Sequence, residues 1–148
     1  MTDAHSPFNP EQRLTFRLLS YWNRVRGGKK YPALSHLNIS EIQEIWHFSF
    51  SINVEKKQHE FQYFGPDLVT IFGVDYSGDL VEDAMNDMFV NNTIGSYVNT
   101  IIKQKPTMES ASFNYNGKDV RYRTLTVPLS TDGENIDYIM GTTNYKIF

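Results

Sequence analysis

The sequence predicts an α+β domain, with one N-terminal helix and a bank of short helices packed on an antiparallel sheet. Three observations carry this. Leu14, Leu18, Tyr21, Trp22 and Val25 recur at helical spacing. Residues 46–64 read as a β-hairpin whose first strand alternates strictly between apolar and polar. Residues 107–145 hold three strand-like stretches separated by Asn116-Gly117 and Asp132-Gly133, both strong turn signals.

The first helix is bounded at both ends. Asn9-Pro10-Glu11-Gln12 offers a cap, a proline at the first helical position and a glutamine three residues after the cap. Gly27-Gly28 ends it, which gives a helix over 10–26. Such a helix is not stable alone, so its apolar stripe must cover a sheet or meet a second chain. A loop through Pro32 leads to a helical turn near 40–45. Trp46, Phe48, Phe50, Ile52 and Val54 then fall on one side of a strand, opposite His47, Ser49, Ser51 and Asn53. A polar turn at 55–59 leads into an aromatic-rich partner strand at 60–64.

Gly65-Pro66-Asp67 breaks that strand. Leu68, Ile71 and Phe72 mark a short helix stopped by Gly73, and a second short helix is expected within 79–88. A longer helix is predicted over 91–105, with Ile94, Tyr97, Val98, Ile101 and Ile102 as its stripe, cations at its end and Pro106 beyond it. In the strand at 120–129, Val120 and Tyr122 share one phase while Leu125, Val127 and Leu129 take the other, which predicts a bulge. Gly141, in the middle of the last strand, marks a close approach or a bend.

The chain of 148 residues fits a single domain over 9–148, with a flexible stretch at 1–8, the N-terminal helix at 10–26 and a core at 40–146. It leaves no room for a separate output domain of ordinary size. Hydrophobic residues at 40% and aromatics at 14% are enough to fill a core, which argues against disorder. A formal charge of −3 gives no electrostatic case for nucleic acid or an anionic membrane. The basic cluster of Arg24, Arg26, Lys29 and Lys30 reads as the complement of a helix C-terminus. No secretory signal and no apolar run of membrane-spanning length are visible, so the expected location is cytoplasmic.

Several stretches, taken in order, resemble a known family. Leu18-Leu19-Ser20-Tyr21-Trp22 runs into Arg26-Gly27-Gly28; Phe61-Gln62-Tyr63-Phe64-Gly65 is followed by Ile71-Phe72-Gly73-Val74-Asp75 and Ser77-Gly78; Val127-Pro128-Leu129-Ser130 precedes Asp132-Gly133 and Gly141. This ordered set, over roughly residues 13–145, resembles the PAS domains, and among them a stand-alone bacterial subfamily best known from alphaproteobacteria. The resemblance implies a five-stranded antiparallel sheet in the order 2-1-5-4-3. It also implies helices on one face enclosing a pocket, and an extra N-terminal helix on the other face or against a second subunit.

Candidate site residues follow from both readings. Phe50, Tyr63, Phe72, Tyr97 and Phe113, with Ile101 from the pocket-lining helix, would line a ligand cavity; the competing reading is that they fill the core. Tyr63 and Tyr97 stand out because a buried hydroxyl needs a partner and can orient a ligand. Leu14, Leu18, Tyr21, Trp22 and Val25 would form the partner surface of a homodimer. The absence of cysteine excludes flavin photochemistry of the cysteinyl-adduct type, thiolate nucleophiles and Cys-rich zinc sites. Haem is not expected, because none of His5, His36, His47 and His59 lies on the 91–105 helix. His59 reads as solvated in a polar turn. Asp79, Glu82, Asp83 and Asp87 read as a solvated face rather than a metal site. Arg121 and Arg123 share a strand face, where an anion clamp competes with cross-strand pairing to Asp or Glu.

The function this predicts is a sensory domain, not an enzyme. It would bind a small ligand or a protein partner and signal through protein contacts, with no nucleic acid or membrane among its partners. The alternatives are a small cone-shaped α+β isomerase or dehydratase, and an interaction scaffold with a filled core and no ligand.

Overall fold

The computed structural model describes residues 10–148. The expected Asn9 cap and the stretch 1–8 lie outside the described residues. Helix α1 spans Pro10–Arg26 and α2 spans Gln43–His47. Strands β1 (Ser49–Asn53) and β2 (Glu60–Phe64) form the hairpin. The helix bank follows as α3 (Pro66–Phe72), α4 (Val81–Ala84), α5 (Met88–Ile94), a 3₁₀ turn at Gly95–Tyr97 and α6 (Val98–Lys103). Strands β3 (Thr107–Tyr115), β4 (Lys118–Leu129) and β5 (Tyr138–Ile147) complete one antiparallel sheet in the order β2-β1-β5-β4-β3. None of the helices described is long and apolar enough to cross a membrane.

The sheet has a core on each face. On the inner face Phe50, Ile52, Phe61, Phe64 and Ile139 meet the helix bank through Leu68, Val81, Val90 and Ile94. On the outer face Leu125, Val127, Leu129 and Met140 meet Leu14, Leu18, Tyr21 and Trp22 of α1. The α1 stripe is therefore buried on the chain's own sheet. The Trp22 indole N–H donates to the Pro128 carbonyl at 2.7 Å and fixes the docking.

Four expectations change. Trp46 and Phe48 do not continue the β1 face: residues 43–47 are helical, and both side chains pack with the outer core, while Phe50 and Ile52 pack in the inner one. Ser49, Ser51 and Asn53 are buried as well, because both faces of β1 are covered. The helix expected over 91–105 is instead α5, the 3₁₀ turn and α6, so its stripe is not continuous: Ile94 and Tyr97 are buried, but Ile102 is 75% exposed. There is no bulge in β4, whose register with β3 and β5 is unbroken. The phase slip there reports which face is covered: Tyr122, Thr124 and Thr126 face the helix bank, and Leu125, Val127 and Leu129 face α1. The bulge lies in the first hairpin, between Ser51 and Ile52 of β1, where Phe61 and Tyr63 pair with successive residues and Gln62 is left over.

The Asn116-Gly117 turn forms as read. Both residues take positive φ, 53° and 80°, as a two-residue hairpin loop of this hand requires.

Candidate functional site

The candidate site is the inner face, where α3 to α6 lie over the sheet. Phe50 is fully buried and meets Phe61 edge-on at 6.2 Å. Its ring lies over Gly141, where an added Cβ would fall 2.4 Å from Phe50 Cζ. Gly141 is thus a close approach, and the space above β5 at that point belongs to the Phe50 ring. Phe72 bridges Phe64 at 5.5 Å and Phe89 at 5.2 Å. Phe89 in turn meets Phe113, Tyr115 and Tyr145 edge-on. Ile101 is half-buried against the same core.

The structure brings Phe50, Phe72, Tyr97, Ile101 and Phe113 to the inner face and places Tyr63 on the other one. Tyr63 stacks on Trp46 at 4.0 Å and donates its hydroxyl to the Trp46 carbonyl at 2.9 Å. The hairpin bulge is the reason: with Gln62 left over, Phe61 and Phe64 both face inward and Tyr63 turns outward. The Tyr97 hydroxyl shares a 2.6 Å hydrogen bond with His59 Nδ1, so both tyrosine hydroxyls are held by the protein itself. Burial pushes the Tyr97 hydroxyl up to about 12 and holds the His59 imidazole below its ordinary value. His59 is therefore not a solvated turn residue.

Phe89 escaped the sequence reading, and His59 was assigned there to solvent. Phe89 fell between two expected helices, although Asp87 before Met88-Phe89-Val90 is a helix-start signal. Asp87 caps α5 by accepting from the Phe89 N–H at 2.9 Å and also accepts the Tyr76 hydroxyl at 2.8 Å. Burial, together with that contact, raises the Tyr76 hydroxyl to about 12.

Toward β3 the inner face turns polar. The Thr100 hydroxyl of α6 lies 2.5 Å from those of both Thr107 and Thr126. Thr124 donates to the Thr93 carbonyl at 2.6 Å and lies 2.6 Å from the Thr143 hydroxyl. Glu109 accepts from Tyr122 at 2.7 Å and from Ser96 at 3.1 Å, and burial beside this carboxylate raises the Tyr122 hydroxyl. The described residues hold no group of three or more His, Asp or Glu placed to grip a metal ion.

On the outer face, α1 covers the Leu125, Val127 and Leu129 end of β4, and the opposite end of β3, β4 and β5 forms an open groove of about 410 Å³. Arg121 and Arg123 lie in it, and their cross-strand neighbours are Ser112 and Ser110 on β3 and Lys146 and Asn144 on β5. The expected acidic cross-strand partners are absent from these positions.

Comparison with known proteins agrees with this architecture. The family described as the PAS domain matches residues 11–144. No curated protein sequence matches the chain. Among solved structures, the light-state Aureochrome1 LOV domain is similar at 14% identity, with 74% of this chain and 89% of that one covered and a TM-score of 0.51. A light-oxygen-voltage domain studied with a flavin analogue is similar at 11% identity, covering 73% and 83%, with a TM-score of 0.50. The LOV domain of a blue-light activated histidine kinase from Erythrobacter litoralis shares 14% identity over 68% of this chain and 95% of its own, at a TM-score of 0.48. For the two at TM-scores of 0.51 and 0.50, the likeness at these identities is one of fold.

Proposed function

Since the chain belongs to the PAS-domain family, matched over residues 11–144, we propose that it is a non-catalytic sensory domain that works through protein–protein contacts. The reading also keeps the bacterial, alphaproteobacterial-type branch that its sequence resembles. The input is a small apolar or amphipathic ligand, or a protein partner, met at the helix bank by Phe50, Phe72, Tyr97, Ile101 and Phe113. The output passes through α1, whose Leu14, Leu18, Tyr21, Trp22 and Val25 repack in a homodimer.

The observation that carries this reading is the double duty of β4. Its Thr126 hydroxyl contacts Thr100 of α6, while its neighbours Leu125 and Val127 support α1. A shift of the helix bank therefore reaches α1 through adjacent residues of one strand. Freeing the α1 stripe exposes several large side chains at about 1.5–3 kcal/mol each. A second copy that takes up the stripe offsets that cost, so assembly and release are linked.

Hydrogen exchange on the intact chain tests the coupling. Thr100→Val removes the hydroxyl that joins α6 to β3 and β4, and amide exchange should quicken in α6 and also in residues 14–26. Faster exchange in α6 with α1 unchanged would refute transmission through β4. Native mass spectrometry of the purified protein tests the ligand. A retained adduct supports a small-molecule sensor. Its absence, with no thermal shift across a metabolite panel, favours the scaffold reading.

A further inference from the structure

We propose that the outer end of β3, β4 and β5, which α2 to α6 and the buried stripe of α1 leave open among the described residues, is a docking surface for an acidic polypeptide segment. In the groove, β3 contributes the small Ser110, Ala111 and Ser112, while β4 and β5 raise Arg121, Arg123 and Lys146 beside them. Short side chains next to long cationic ones make a channel walled by positive charge.

The register makes this arrangement costly without an occupant. Arg121 lies directly opposite Lys146 across β4 and β5. Like charges in directly opposed positions destabilise a sheet. Asp119 offsets one of them through a 3.0 Å contact with Arg121, at side chains 44% and 61% exposed. Exposed pairs of that kind contribute little. Arg123 donates to Ser110 Oγ at 3.0 Å, and among the described residues neither Arg123 nor Lys146 has a carboxylate partner. A local positive excess thus stands in a chain of formal charge −3.

The shape selects the class of occupant. The groove is open along its length, whereas a small metabolite gains its affinity from a cavity that encloses most of its surface. A nucleic acid needs a run of phosphate contacts on a basic domain, and this chain offers a few cations on an acidic one. A polypeptide with a few carboxylates matches the cations in number. Its apolar side chains can rest on Phe148, whose ring already receives the Arg121 guanidinium at 4.0 Å. This surface does not depend on the sensor reading, since the described residues that line it lie on β3, β4 and β5 and the C-terminal Phe148.

The test uses the full chain and a short labelled peptide of alternating Glu and Ser, followed by fluorescence anisotropy. The Glu peptide should bind, weaken as salt rises, and exceed its Gln-for-Glu twin. Arg123→Ser should weaken it about tenfold, through both on-rate and off-rate. Lys57→Ser, which removes a cation at the far edge of the sheet, should leave it unchanged. Lys146→Glu separates site from fold: it should abolish binding while raising the melting temperature by about 2 °C, because a like-charge pair becomes an opposite one. Several results overturn the proposal. One is equal binding of the Gln peptide. Another is tighter binding of a single-stranded oligonucleotide of the same charge. A third is a homodimer that Arg123→Ser dissolves, which would make the occupant a second copy. A Lys146→Glu chain with a lowered melting temperature would remove the argument from strain.

Discussion

Replacing Gly141 by alanine should destabilise the domain for a reason of space, not of backbone conformation. Gly141 is not among the residues with positive φ, so its dihedral angles suit alanine. The added methyl meets Phe50 Cζ at 2.4 Å, Phe50 Cε1 at 2.9 Å and Thr126 Cγ2 at 2.9 Å. Phe50 is fully buried and cannot swing into solvent, so the strain passes into the inner core. Overpacking of this kind costs about 1–3 kcal/mol, less the modest gain of alanine over glycine in a strand. For a domain of this size that lowers the melting temperature by about 2–4 °C per kcal/mol. Urea denaturation of a double-mutant cycle isolates the contact. Phe50→Leu removes Cζ and Cε1 and alone costs about 1–2 kcal/mol. In that background Gly141→Ala keeps only the Thr126 contact, so the two changes should couple favourably by about 1 kcal/mol or more. Strict additivity, or a Gly141→Ala chain as stable as the parent, would refute the claim that the Phe50 ring occupies this space.

Trp22→Phe keeps the apolar contact of α1 but removes the N–H that donates to Pro128 at 2.7 Å, and leaves that carbonyl buried without its donor. Urea denaturation should show a loss of about 1–3 kcal/mol, and a loss below the error of the measurement would mean that α1 is held by hydrocarbon alone. His59 gives a dependence on acid. Its folded-state pKa is depressed by burial, so the unfolded chain binds the extra proton first, and stability is full above the unfolded value and falls as pH drops through it. Denaturation midpoints at neutral and mildly acidic pH should therefore differ, and His59→Gln should reduce that difference; an equal difference in both chains would assign the effect elsewhere.

The order of elements was legible because local chemistry marks each boundary. Gly73 closes α3 in the left-handed conformation, and Asn116-Gly117 closes the β3–β4 hairpin. The faces were harder to read, and for physical reasons. Alternation reports burial only where one side of a strand meets water. Every residue of β1 is buried, so the run from Trp46 to Val54 could not show where helix gave way to strand. In β4 a second covered face imitated a bulge. In β2 a real bulge at Gln62 reversed the direction of Tyr63, and the aromatic run Phe61 to Phe64 carried no sign of it. The site suffered most from these limits. Phe89, which joins Phe72 to Phe113, Tyr115 and Tyr145, gains its role from strands far along the chain.

The two halves of the inner face hold the helix bank by different forces, and this decides where it can move. Over β1 and β2 the contacts are hydrocarbon: Phe61, Phe64, Leu68 and Tyr76 lie in one cluster, and lifting α3 would expose all of them. Over β3 and β4, Phe89 of α5 still packs on Phe113 and Tyr115, but α6 adds hydroxyl contacts, offering Thr100 to Thr107 and Thr126 while it points Val98 and Ile102 outward and keeps only Ile101 against the core. Separating hydrocarbon costs free energy in proportion to area, whereas a hydroxyl that leaves a protein partner finds a water partner at small net cost. We expect local opening to begin at α6, as local openings begin where apolar contact is sparse. Thr126, directly beneath it, is flanked in sequence by the Leu125 and Val127 that hold α1. An opening at α6 would therefore fall beside the residues that hold α1 on the other face of the sheet.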